Sequence, residues 1–268
     1  MVARDEEIAL AVSITGTFEN SGDPFTGLSG DADGMGLSCG VLQWNIGSNS
    51  LQPLVRLVGH DVVLQGMPTH GEELWSACNS PPDEGSAIVR GWQTNGALHP
   101  IVVGELRALM GSPEMRSAQL RRIEIVAQKA DALAEKWAHD CGRTQRTRQE
   151  FVWFFDVLTQ NGGMRGIWRD QYRVFVAAQG ERGATDEICD WLENSSSTWW
   201  GHKDCVKNAA LWRDTDPARH FELFVLSYLR ASIASQTRAR GVVMNRKGAI
   251  ANKKGYVNGT YFEFSSRT

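Results

Sequence analysis

Along most of the chain, apolar residues return every three or four positions, the pattern of helices with one buried face. Ile8, Ala11, Val12, Thr15 and Phe18 predict a first helix over Arg4–Phe18. Asn20-Ser21-Gly22-Asp23-Pro24 then stops it. The next stretch, Phe25 to Gly40, holds Gly27, Gly30, Gly34, Gly36 and Gly40. That glycine density rules out a stable helix and predicts turns and short strands. The helical period resumes over Leu51–Val58. Ser112-Pro113-Glu114 marks the start of a long helix, with a serine cap and proline in the first turn. Leu120, Ile123, Val126, Ala127, Ala130, Leu133, Ala134 and Trp137 share one side of it, to about His139, and Gly142 closes it.

A second helix over Gln145–Thr159 carries Phe151, Phe154, Phe155 and Leu158 and breaks at Asn161-Gly162-Gly163. Further helices are predicted over Arg165–Gln179, Thr185–Glu193, Asp204–Trp212 and Pro217–Ser235. Gly255, Gly259 and the run Tyr261-Phe262-Glu263-Phe264 predict a terminal hairpin. The fold class is therefore mainly α with a small β-sheet (α+β). The sheet lies near residues 25–46, the helical body spans 50–236, and a basic hairpin occupies 238–268. The expectation is one domain over residues 1–268, built as two lobes with a cleft.

Composition narrows the class. Hydrophobic residues make up 42 % and charged residues 22 % of the chain, which excludes a disordered or collagen-like protein. The net charge of −3 exerts no global pull on nucleic acid, so no nucleic-acid partner is expected. Residues 238–268 carry +6 and the remainder −9, so the end of the chain reads either as a solvated basic segment or as an arm for an anionic surface. No apolar run is long enough to span a bilayer. The start, with Asp5, Glu6 and Glu7, is not a secretory signal. The five cysteines lack CxxC spacing, which argues against structural zinc; Cys189 and Cys205 are the best-placed pair for a disulfide. The six histidines form no HExxH or close pair, so no metal or other cofactor is expected.

The candidate chemistry concentrates between Thr17 and Asn45. Cleaving a glycosidic bond takes one protonated carboxyl, to protonate the leaving oxygen, and one ionised carboxylate across from it. Glu19 falls at the C-terminal end of the first helix, where the dipole disfavours a negative charge and keeps the acid neutral. Asp33 falls 14 residues later on the glycine-rich segment. Asp31, Asp33 and Gly34 also suggest the opening of a calcium loop, but Gly40 stands where that loop needs its bidentate acid.

Phe18-Glu19-Asn20-Ser21 followed by Asp33-Gly34-Met35-Gly36-Leu37-Ser38-Cys39-Gly40 resembles the active-site region of bacterial chitosanases of the lysozyme-like superfamily. The resemblance implies a lysozyme-like two-lobed fold with a saccharide cleft, Glu19 as general acid, Asp33 as general base and Ser38 as the hydroxyl that helps place the attacking water. It also implies inversion, because those chitosanases invert. Met35 departs from the pattern, which has an arginine there. Gly40-Val41-Leu42-Gln43 is similar to a groove-lining stretch of goose-type lysozymes and lytic transglycosylases, and Gly36 to Asn45 with Ser50-Leu51-Gln52-Pro53-Leu54 resembles bacterial and phage cell-wall proteins.

The cell-wall resemblance and the missing arginine favour a peptidoglycan hydrolase, a muramidase, over a chitosanase. A lytic transglycosylase and a saccharide-binding module with a decayed site remain the alternatives. Gln43, Trp44, Asn45 and Asp31 are the candidate substrate-binding residues, and for Gln43 an amide that satisfies the strand or loop backbone is the equal alternative. Trp44 is the best candidate to stack on a sugar face, Trp75 and Trp92 follow it along the sequence, and Trp199-Trp200 reads as an exposed edge; for any one tryptophan a place in the core is the commoner reading. Trp137, Trp153 and Trp212 are expected in the core. Asp156 and Gln160, four apart on one helix, suit either a groove floor or a buried structural pair. Such an enzyme acts in the periplasm or the outer wall, delivered by a secretion system or by phage lysis, or as a domain of a longer protein. Delivery as an injected toxin, but not phage lysis, implies a cognate immunity protein as a second partner.

Overall fold

The computed structural model describes residues 2–17, 23–31, 34–214 and 221–264. It is mainly helical with small antiparallel sheets, an α+β protein as the periodicity predicts. The chain forms two compact units, Thr15–Ile125 and Met1–Ile14 with Val126–Thr268. The division falls inside two helices, α1 (Val2–Thr17) and α7 (Pro113–Asp140). In α1 Ala11 and Thr15 of the predicted stripe are buried and Ile8 and Val12 half-buried; Ile14, outside that stripe, is buried as well. Phe18 lies outside the described residues.

The unit Thr15–Ile125 opens with a three-stranded antiparallel meander: β1 (Leu28–Ser29), β2 (Ser38–Cys39) and β3 (Trp44–Asn45). Then come α2 (Gln52–Val58), α3 (His60–Gly66), α4 (Gly71–Asn79) and α5 (Pro82–Arg90). A hairpin, β4 (Gln93–Thr94) with β5 (Ala97–Leu98), precedes α6 (Pro100–Gly111). That hairpin interrupts the uniformly helical body expected over 50–236. Asn95-Gly96, both at positive φ, make its turn. Leu37, Ile46, Leu54, Val55, Leu74 and Val102 fill the core. Ser112 caps α7 as predicted, its hydroxyl accepting from Met115 N at 3.2 Å. Leu120 departs from the predicted stripe at 54 % exposure. The rest of that stripe holds, with Ile123, Ala127, Ala130, Ala134 and Trp137 buried and Val126 and Leu133 half-buried; ahead of Ile123 the buried positions are Met115, Ala118 and Gln119.

The second unit holds α8 (Arg148–Asn161), α9 (Arg169–Ala177), α10 (Gly180–Glu193), α11 (His202–Arg213), α12 (Phe221–Ser232) and α13 (Arg240–Ala251). The strands β6 (Lys254–Val257) and β7 (Thr260–Glu263) follow. Every residue from Gln149 to Val157 is buried, so α8 is a core helix, apolar around most of its girth. A capping box between Thr147 and Glu150 starts it. Trp137, Trp153 and Trp212 are fully buried, as expected.

Two expectations are overturned here and one open alternative is decided. The basic segment 238–268 is a hairpin only from Lys254 onward; before it α13 is a buried helix, not a solvated arm. Its Arg246 and Lys247 converge on buried Asp156, which makes Asp156 part of a core ion network and not a groove floor. Cys189 and Cys205 are both free thiols, so no disulfide joins them. Each is buried on its own helix. No helix among the described residues is long and apolar enough to cross a membrane.

Candidate active site

The meander sets the register of the candidate residues. Ser38 on β2 stands opposite Ser29 on β1 and Asn45 on β3. Directly opposed residues share a face, so Ser38 and Asn45 come together on one side of the sheet. Cys39, Leu28 and Trp44 form the neighbouring rung. Ser38 and Trp44 are both buried, at 5 % exposure. Trp44 is thus a core residue, the commoner reading for a tryptophan, and not an open stacking platform.

Gln43 and Asn45 serve the backbone. Gly40 N donates to Gly27 O at 2.8 Å, and Gln43 N returns to Gly40 O at 3.1 Å. Gln43 adopts φ +52 in this turn, and its side-chain Nε2 donates to the same Gly40 carbonyl at 3.0 Å. Asn45 Oδ1 accepts from Ser48 N at 2.8 Å, and Asn45 N donates to Ser50 Oγ at 2.8 Å. Behind the turn, fully buried Gln119 of α7 accepts from Val41 N and donates to the carbonyls of Phe25 and Met110.

Asp31 is a loop organiser. Its Oδ1 accepts from Gly36 N and its Oδ2 from Arg90 Nε, each at 2.6 Å. The Arg90 hydrogen bond holds the carboxyl below its ordinary value, against partial desolvation and with help from the Gly36 amide. Asp31 is therefore ionised with both oxygens engaged, an arrangement for fixing backbone and not for meeting a sugar. Arg90 Nη2 also donates to Gly34 O at 3.3 Å. Gln93 of β4 accepts from Asp31 N through Oε1 at 2.8 Å and donates to Gly36 O through Nε2 at 2.8 Å. Neither Arg90 nor Gln93 was a sequence candidate. Thr94-Asn95-Gly96-Ala97 is a readable hairpin signal that places Gln93 on a strand, but nothing near Arg90 in the sequence points to Asp31.

Glu19 and Asp33 lie outside the described residues. Glu19 follows Thr17, the last residue of α1, by two positions, and Asp33 stands in sequence between Asp31 and Gly34. Of the other tryptophans, Trp92 is buried, its Nε1 donating to Glu73 Oε2 at 2.5 Å. Trp75 is half-buried beside His60, and Trp200 is exposed, as expected of an edge. No group of three or more His, Cys, Asp or Glu among the described residues is placed to hold a metal. No protein-family model matches the chain, and neither the curated proteins nor the solved structures contain a match.

Proposed function

We propose that this protein is a glycoside hydrolase of the lysozyme-like type that cuts the glycan strands of peptidoglycan. Glu19 donates its proton to the glycosidic oxygen. Asp33 takes a proton from water on the opposite face of the sugar, and Ser38 helps to hold that water. The reaction inverts the anomeric centre, which requires the two carboxyls to stand roughly 6.5–9.5 Å apart.

The observation that carries the reading is the braced loop Asp31–Gly36. A helix ends just ahead of Glu19, a meander follows, and the segment bearing Asp33 connects its first two strands, tied at both ends by Arg90 and Gln93. A rigid support of this kind is what a general base needs, since catalysis depends on sub-ångström placement. The meander forms one wall of the saccharide groove. The substrate lies in the bacterial wall, so the protein acts in the periplasm or outside the cell. An injected toxin of this kind has an immunity protein as its partner.

Purified peptidoglycan and chitosan, incubated separately with the protein, test the reading. Release of reducing ends from peptidoglycan is expected, with muropeptides that carry no anhydro end. Glu19→Gln is expected to lower kcat by about 100-fold or more with the fold intact, the scale of general acid catalysis. Activity on chitosan alone makes the protein a chitosanase. Anhydro products with Asp33→Asn fully active make it a lytic transglycosylase. Binding without cleavage makes it a saccharide-binding module.

A further inference from the structure

The loop between β1 and β2 is closed by partners from far along the chain. The carboxamide of Gln93 takes the place of a strand: it accepts from Asp31 N and donates to Gly36 O, so one side chain bridges the first and last residues of the loop. A second donation from the same Nε2, to Val89 O at 3.1 Å, fixes the carboxamide to its own support. Inside this bridge, Gly36 N donates to Asp31 Oδ1, a second link between the same two residues. Arg90 then binds the remaining oxygen of Asp31 and the carbonyl of Gly34. The residues on either side of positions 32 and 33 are thereby held by one guanidinium. Met35 brings no charge to the loop; Arg90 does.

The hairpin that delivers Gln93 fits tightly against the loop. A Cβ on Gly30 would stand 2.0 Å from Gly96 O and 2.6 Å from Gln93 Oε1, so the two backbones are in direct contact and Gly30 cannot carry a side chain there without a shift. Val89 and Ser86 of α5 lie 3.2 and 3.3 Å from where a Gly36 Cβ would stand. Packing and hydrogen bonds therefore agree on the placement of Gly30, Asp31 and Gly36.

We infer that Arg90 and Gln93 are positioning residues, whose joint hold on Asp31, Gly34 and Gly36 sets where the loop presents its general base. The inference rests on the hydrolase reading above. Arg90 does not touch substrate in this scheme and acts through the loop, so its loss lowers turnover and leaves substrate affinity in place.

The test is steady-state kinetics on peptidoglycan with wild type, Arg90→Ala and Gln93→Ala, joined to amide hydrogen exchange at Gly36. Arg90→Ala is expected to lower kcat by about 100-fold with KM within about threefold, the cost of a misplaced catalytic group. Gly36 N–H, released when Asp31 loses its partner, is expected to exchange faster. Free guanidinium at millimolar concentration is expected to restore part of the lost kcat, which a merely structural defect would not show. Should Arg90→Ala fail to fold, Arg90→Lys is read instead, since it keeps the charge and loses the fork that reaches both Asp31 and Gly34. A wild type that cleaves neither peptidoglycan nor chitosan overturns the hydrolase reading, and this inference with it. A cleaving wild type whose arginine variant turns over at the normal rate overturns the inference alone.

Discussion

Lys247 of α13 donates to the Asp156 carboxylate of α8 with both side chains wholly buried. Arg246 takes the other oxygen, from Nε and Nη2, each at 2.8 Å. One anion thus serves two neighbouring cations inside the core of the larger unit. These cations hold the Asp156 carboxyl below its ordinary value against the opposing effect of burial. Asp156→Asn takes the carboxylate away from wholly buried Lys247 and breaks a buried ion pair, and a loss of about 3–5 kcal/mol is expected. The contribution is complete above the unfolded value of 3.8 and fades as pH falls through the lower folded value. Denaturant melts at neutral pH and at pH 3 check this; a variant as stable as wild type at neutral pH contradicts it.

The same network makes an opposite prediction in alkali. Burial pushes Lys247 down to about 8 from 10.5; Arg246 adds to this and Asp156 opposes it. Below pH 8 the amine is charged in both folded and unfolded chains, and burying that charge costs about 3 kcal/mol. Between 8 and 10.5 the unfolded chain holds the proton and the folded chain does not, so this group's contribution to stability rises with pH. Lys247→Met removes the effect. The stability of wild type relative to that variant is therefore expected to rise across this window, and a flat difference contradicts the assignment.

The contrast between α8 and α13 shows how far the sequence could be read. α8 announces itself through Phe151, Phe154 and Phe155 at helical spacing and a glycine stop. α13 carries Arg240, Arg246 and Lys247 among small residues, and a local reading assigns charge to solvent. Asp156, some 90 positions earlier, meets Arg246 and Lys247 in the core, and no window on the sequence contains both partners. Arg90 and Asp31 pose the same difficulty in the smaller unit, where the paired charges are 59 positions apart. The meander was legible because its glycines forbid the alternative. The roles of Gln43 and Asn45 were not, because a side-chain amide serves a turn as readily as a ligand.

All five cysteines are expected to be thiols with little native reactivity. Burial pushes Cys78 and Cys189 up to about 12, Cys205 to about 11, and Cys39 further still. A thiol protonated at pH 8 is a poor nucleophile. Cys141, only half-buried, reacts first. Titration with an aromatic disulfide reagent should find five thiols in denaturant without reductant. A count of three would restore the bridge between Cys189 and Cys205.

Trp44 separates core from groove. Its burial predicts that Trp44→Ala loses about 3–5 kcal/mol of stability, the usual cost of truncating a large core aromatic. Trp44→Phe, which keeps most of the volume, should then leave KM on glycan unchanged. A rise in KM with unchanged stability would return Trp44 to the sugar.

Gly40 and Gly34 give a paired test of the meander's packing. Both sit at left-handed φ, +77 and +84, where any side chain costs about 1–2 kcal/mol. A Cβ on Gly34 meets nothing within 4 Å, so Gly34→Ala should lose only that strain. A Cβ on Gly40 stands 2.6 Å from Gln119 Oε1, 2.8 Å from Met110 Cε and 3.0 Å from Trp44 Cζ3. Gln119 cannot yield cheaply, because its amide is tied to Val41, Phe25 and Met110 at once. Overpacking of this kind adds about 1–3 kcal/mol, so Gly40→Ala should be the less stable variant by that margin in denaturant melts. The excess measures how firmly α7 holds the turn between β2 and β3. Equal losses at the two glycines would mean that Gln119 moves aside, and that the turn is held by its own hydrogen bonds alone.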